Sequence, residues 1–200
     1  MTTITHHRAA VLDDRVRPRA MIVFAAITLV GFGLLYSLAG TALGRSLFPH
    51  QATGSLIVVA GEPRASALVA QPVADPRYFR PRPSAADYDP MGVSGSNQAR
   101  TNPDLRARIA ALTAEVAARE GIPASEVPGE LVTQSGGGID PHLSPEGARV
   151  QTARVARERG LTESQIATLV DEHVEAPTWG LLGQPRVNVT RLNFALDALD

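Results

Sequence analysis

Two residue types are missing from this 200-residue chain: it contains neither cysteine nor lysine. Without cysteine there is no disulfide, no thiolate nucleophile and no sulfur-ligated metal, a pattern compatible with a domain facing an oxidising compartment. Without lysine there is no phosphate-loop lysine, no Schiff base and no Ser–Lys dyad. All 19 cationic side chains are therefore arginine, against 20 acidic ones, and the net charge of -1 offers no electrostatic basis for a nucleic-acid partner. Aromatics are also few, at 4%, whereas the 44% hydrophobic fraction is that of an ordinary folded chain.

Charge itself is missing from one long stretch. The 25 residues between Arg19 and Arg45 carry none. As a helix rising about 1.5 Å per residue they reach roughly 37 Å, enough to cross a hydrocarbon core of about 30 Å with some tilt. Arg8, Arg15, Arg17 and Arg19 precede the stretch, partly offset by Asp13 and Asp14, and only Arg45 closely follows it. The positive-inside bias then divides the chain into a cytoplasmic tail over 1–19, a transmembrane helix over 20–44 and an extracytoplasmic domain over 45–200. A cleaved signal peptide is the competing reading, with Ala39-Gly40-Thr41-Ala42 resembling a cleavage site. Its apolar region would be only about 7–15 residues, so the length favours a retained anchor.

The exported part reads as an α/β domain. Ser55–Ala60 is rich in β-formers, Gly61-Glu62-Pro63 reads as a turn, and Ala65–Gln71 as the returning strand of a hairpin. The run from Pro72 to Pro103 is proline-rich and irregular, yet its Tyr78, Phe79 and Tyr88 predict packing. Asn102-Pro103-Asp104 begins a helix whose Leu105, Ile109, Leu112 and Val116 share one face. Ser144-Pro145-Glu146 opens a second helix, expected to run to Arg159 and stop at Gly160. Thr162 and Gln165 form a capping box for a third, with Ile166, Leu169, Val170 and Val174 inward. The alternation over Arg186–Thr190 predicts a strand, and Leu192–Leu199 a short closing helix.

The most distinctive segment is Leu131–Pro145, in which strand-like residues run into Gly136-Gly137-Gly138 and then into Asp140, Pro141, His142 and a helix start. Backbone amides of such a loop can bind an anion or a carbonyl. Ser135 and His142, with Asp140 between them, also permit the reading of a membrane-anchored envelope hydrolase. Triads draw their members from separate elements, however, and the Gly-x-Ser-x-Gly elbow is absent, so a structural tight loop is the simpler account. Ser94-Gly95-Ser96-Asn97 is a second small-residue loop; it has the look of a Ser-x-Asn element whose required lysine does not exist here. His6 and His7 fit a solvated tail, and His50, His142 and His173 are dispersed without metal-ligand spacing. Asp171, Glu172 and Glu175 are expected on a solvated helix end.

Several blocks together resemble a known family, the C subunit of the Kdp potassium-transporting ATPase, a bacterial P-type pump. They are Leu47–Ile57, Asp75–Ala85, Ser94–Asn97 with Asn102, and Val127-Pro128; then Leu131–Pro145, Gln151 with Arg154–Ala156, and Gly183–Val189 with Leu192-Asn193. The resemblance implies a single-pass subunit of the bacterial inner membrane that does not itself hydrolyse ATP. Its implied partners are a channel-like potassium-binding subunit, a P-type ATPase subunit and a small stabilising subunit. It also implies a catalytic chaperone that raises the pump subunit's affinity for ATP. In that view Gln134, Ser135, Gly136, Gly137 and Gly138 are nucleotide-binding, although the loop lacks the residue order of an ABC-type signature. No cofactor is expected to be firmly bound, and ATP enters only through the complex. An outward domain conflicts with cytoplasmic ATP, so the expected role is docking on the outer face of the channel-like subunit. Ser94–Asn97 and Asp140–His142 are the expected contact loops.

Overall fold

The computed structural model describes residues 17–199 and divides the chain into one unit ending at Ala52 and a second beginning at Thr53. The tail carrying His6, His7, Arg8 and Arg15 lies outside the described residues. The first unit is a continuous helix over Pro18–Leu47, with a mean hydropathy of 2.2 in its most apolar window and none of that window buried. It is α-helical over Pro18–Ile27 and Tyr36–Leu47 and widens to a π-helix over Thr28–Leu35, where the Tyr36 amide donates to the Gly31 carbonyl. Gly31 and Gly33 fall within the widened turns, whose backbone they leave unencumbered by a Cβ. A short helix, Pro49–Ala52, follows.

The second unit mixes helices with two small antiparallel sheets. β1 (Leu56–Val59) and β2 (Glu62–Ser66) form a hairpin. Its turn is Ala60-Gly61, both at positive φ (53° and 83°), as a two-residue type I′ connection requires. The strand therefore returns at Glu62, through the residues expected to be the turn, and ends before Gln71. The other sheet has the order β3-β5-β4, from His142–Leu143, Arg186–Asn188 and Val174–Glu175. Leu143 and Val174 both pair with Val187, which is fully buried.

Helices cover this sheet. Pro103–Glu120 starts at Asn102, whose side chain accepts from the Asp104 amide, and stops at Gly121 with φ 72°. Val116 is buried, with Ile109 and Leu112 packed against the core. Glu163–Glu172 has the complete Thr162/Gln165 capping box, but it ends before Val174, which pairs in β4 instead. The stretch expected as one helix from Pro145 to Arg159 is two, Pro145–Arg149 and Thr152–Arg159. Between them the Gln151 amide reaches back only three residues, to Ala148, and its side chain turns inward. Likewise the expected strand over Arg186–Thr190 stops at Asn188, whose side chain caps the Val189–Leu196 helix by accepting from the Arg191 amide at 3.0 Å. Leu131 and Val132 are buried as apolar residues should be, but in a 3-10 turn and loop rather than a strand.

From Ala67 to Asn102 the chain has no regular element. Proline removes backbone donors and disfavours helical neighbours, so the backbone needs other partners. Side-chain amides supply them, because each has both a donor and an acceptor. Asn193 accepts from the Phe79 amide (2.9 Å) and donates to its carbonyl (2.8 Å). Gln151 does the same for Arg80, at 2.8 and 3.0 Å. Arg154 bonds the Pro76 and Tyr78 carbonyls, the Gln151 amide oxygen at 2.8 Å and Glu120 at 2.9 Å. Arg119 completes the Glu120 carboxylate at 2.7 Å. The fully buried Phe79 ring is thereby delivered to a core that includes Val155, Ile166, Val170, Leu192 and Leu196.

Removing one partner of a buried ion pair leaves the other charge without compensation, at a cost of about 3–5 kcal/mol. Arg154→Met should therefore lower the unfolding free energy of the full chain by about that amount, read by denaturant unfolding followed with circular dichroism. A loss below about 1 kcal/mol would show that the clamp does not carry the irregular segment.

Candidate functional site

The small-residue loops expected to carry function meet. Ser94 donates its amide to the Gly137 carbonyl at 3.1 Å, and Ser84 its hydroxyl to the Gly138 carbonyl at 2.6 Å. The Ser135 amide donates to Pro83 at 3.1 Å and the Gly138 amide to Ser135 at 3.2 Å. Arg82 spans the rear, reaching the Gln134 carbonyl at 3.3 Å and Asp140 at 3.8 Å. The Gln134 side chain donates to the Ser84 carbonyl at 3.3 Å. The approach is too close for side chains. A Cβ on Gly95 would lie 2.7 Å from the Gly136 carbonyl oxygen, and one on Gly138 2.8 Å from that of Ser94, with Gly138 already at φ 75°. Gly136 is exposed and faces open space. Of the partner loop, Ser94, Ser96 and Asn97 are exposed.

Asp140 and His142 are joined, and Ser135 stands apart. The Asp140 carboxylate accepts from the His142 amide (3.0 Å) and faces its Nδ1 (3.1 Å). The other ring nitrogen of His142 faces the Asn188 amide nitrogen at 3.5 Å. Pro141 is buried, and its carbonyl accepts from the Val189 amide. Ser135 is buried and no hydrogen bond joins it to His142 among the described residues, so the nucleophile–base pair of a hydrolase is not assembled. The two ring nitrogens of His142 are taken up within the fold, which leaves the histidine linking the glycine loop to β5.

No group of three His, Asp or Glu side chains converges as a metal site among the described residues. His173 bonds the Leu169 carbonyl through Nδ1; Asp171 and Glu172 are exposed as expected of a solvated helix end, and Asp171 and Glu175 make surface ion pairs with Arg149 and Arg186. One residue escaped the sequence reading altogether. Glu130 accepts from both the amide and the hydroxyl of Ser144, the cap of the next helix, and a Cβ on Gly147 would collide with its carboxylate. No local spacing signals this contact, because it is a fit between a turn and a helix start 14 residues apart.

Gly138→Ala should destabilise the chain by about 1–3 kcal/mol through strain and overpacking, whereas Gly136→Ala should be nearly neutral, as measured by thermal unfolding. Equal effects would contradict the close approach. The His142 hydrogen bond, foremost, holds the Asp140 carboxyl below its ordinary value against the opposing effect of burial, with Arg82 contributing. A depressed folded pKa contributes stability above the unfolded value of about 3.9, and that contribution is lost as pH falls through the folded value. Asp140→Asn should therefore destabilise at neutral pH and converge with the parent chain in acid; a difference that persists unchanged in acid would refute the linkage.

Comparison with known proteins covers nearly all of the described residues. The family model described as "K+-transporting ATPase, c chain" matches residues 18–198. A potassium-transporting ATPase KdpC subunit from Xanthomonas oryzae pv. oryzae is 61% identical over 179 residues, covering 90% of this chain and 86% of the relative. Those from Shewanella putrefaciens and Caldanaerobacter subterraneus subsp. tengcongensis are 49% and 43% identical, covering 84% and 88% of this chain and 84% and 91% of the relatives. The chain belongs to the KdpC family, the C subunits of the Kdp potassium-transporting ATPase.

Proposed function

We propose that this chain is the non-catalytic member of its pump, held by a single transmembrane helix with its amino terminus in the cytoplasm and the unit from Thr53 onward outside the bacterial inner membrane. There it docks over the outer face of the channel-like potassium-binding subunit and stabilises an assembly that also holds the P-type ATPase and small stabilising subunits. The observation that carries this reading is the pairing of an apolar Pro18–Leu47 helix with a folded unit whose most distinctive loop is spent on internal packing. Two amides of the glycine loop, those of Ser135 and Gly138, already donate within the fold. The exposed Ser94, Ser96 and Asn97, with the neighbouring Asp140–His142 turn, are the proposed partner contacts.

Reporter fusions at the carboxyl end test the topology. A periplasm-active reporter should be active and a cytoplasm-active one silent. The opposite result would overturn the outward placement and return Gln134–Gly138 to the nucleotide-binding role. In the purified complex, Ser135→Ala should leave potassium-stimulated ATPase turnover within about twofold, since no catalytic role is assigned to that hydroxyl.

A further inference from the structure

Residues 177–183 form a tight turn that carries its largest side chains outward. The Thr178 amide donates to the Leu182 carbonyl at 2.8 Å, and the Leu182 amide to the Thr178 carbonyl at 3.0 Å. A third bond, from the Gly180 amide to the Pro177 carbonyl at 2.9 Å, tightens the ring. Trp179 and Leu181 at its tip are 85% and 86% exposed, and Leu182 is exposed beside them. Trp179 is the only tryptophan of the chain. The other aromatics of the second unit, Tyr78, Phe79, Tyr88 and Phe194, are all partly or fully buried. The Trp179 φ of 55° lies in the left-handed region, which bulky residues rarely enter. The backbone thus accepts strain to hold an indole where the unit itself does not bury it.

Charge narrows what can cover this tip. The ten residues over 176–185 carry none, and the flanking Glu175 and Arg186 pair with each other at 2.9 Å. A nucleotide, a free phosphate or an anionic lipid surface would find no unpaired cation in this stretch. A tryptophan on a rigid turn is instead the pattern of a protein-binding anchor. It offers large apolar area with few rotatable bonds, and an indole N–H that needs one acceptor. The chain belongs to a family of subunits, so its own assembly supplies a protein surface for the tip to meet. We propose that Trp179 and Leu181 anchor this unit in an uncharged, apolar pocket on another subunit of the Kdp complex, where a carbonyl oxygen accepts from the indole N–H. This rests on the docking role proposed above and adds an apolar anchor to its polar contact loops.

The single tryptophan permits a direct test in the full chain. The chain is made with 5-hydroxytryptophan in place of Trp179, which can be excited at wavelengths that ordinary tryptophan does not absorb. Acrylamide quenching is then measured on the chain alone in detergent and after assembly with the other subunits. The expected result is strong quenching alone and several-fold weaker quenching in the complex. In competition with the parent chain for assembly, Trp179→Ala should be incorporated about tenfold less. Met91→Ala, at a position 92% exposed, should compete equally. Trp179→Ala should also unfold like the parent, since the indole lies outside the core, so weaker assembly is not a folding defect. Quenching that stays strong in the complex would overturn the proposal, as would equal competition by Trp179→Ala; in both cases a parent chain that still assembles leaves the docking role standing. Protection in lipid nanodiscs without partner subunits would assign the tip to the bilayer and overturn the proposal. Protection that grows with the chain's own concentration would assign it to a second copy, with the same consequence. A parent chain that does not assemble with the other subunits at all would overturn the docking role and the proposal together.

Discussion

The order of the folded unit depends on three polar side chains that act on backbone. Gln151, Arg154 and Asn193 together satisfy donors and acceptors of residues 76–80, a stretch in which proline forbids the usual ladders. Unpaired backbone groups buried at this depth cost free energy comparable to a lost hydrogen bond each. With the pairs made, Phe79 sits wholly inside, and its burial is worth about 1.5–3 kcal/mol. Sidedness matters as much as energy. An arginine was needed at position 154 because a single planar fork reaches two carbonyls, an amide oxygen and a carboxylate at once.

The glycine loop obeys a related logic at a different scale. Where Gln151 and Asn193 bring side chain to backbone, residues 94–95 and 136–138 bring backbone to backbone, and at Gly95 and Gly138 a methyl group is already too large. Its residues are constrained by the distance between two backbone segments, and the acid–histidine pair beside it fastens the loop to the sheet.

Local physics was legible in the sequence and long-range physics was not. The caps at Asn102, Ser144 and Thr162 and the stop at Gly160 are one-turn effects, and they fall where the residue types direct. Asn188 differs from expectation because alternation around it signals a strand with equal force, and tertiary pairing decides that it ends one and caps a helix. The break at Gln151 has its cause 71 residues away, in Arg80, so no window of helical periodicity could contain it. The family resemblance did include Gln151, Arg154 and Asn193, but as matching letters whose mechanical purpose only the coordinates reveal.

The same spacing bears on how the molecule is made. Phe79 leaves the ribosome 114 residues before Asn193, its partner in the clamp. At about 5–20 residues per second, the proline-rich segment waits on the order of ten seconds before its partners exist. Through that interval Tyr78, Phe79 and the exposed-edge hairpin are nascent apolar chain with nothing to bury them. The segment's poverty in backbone donors then becomes an asset, because a strand of prolines is a bad template for pairing with a neighbour and keeps the unfinished chain from aggregating.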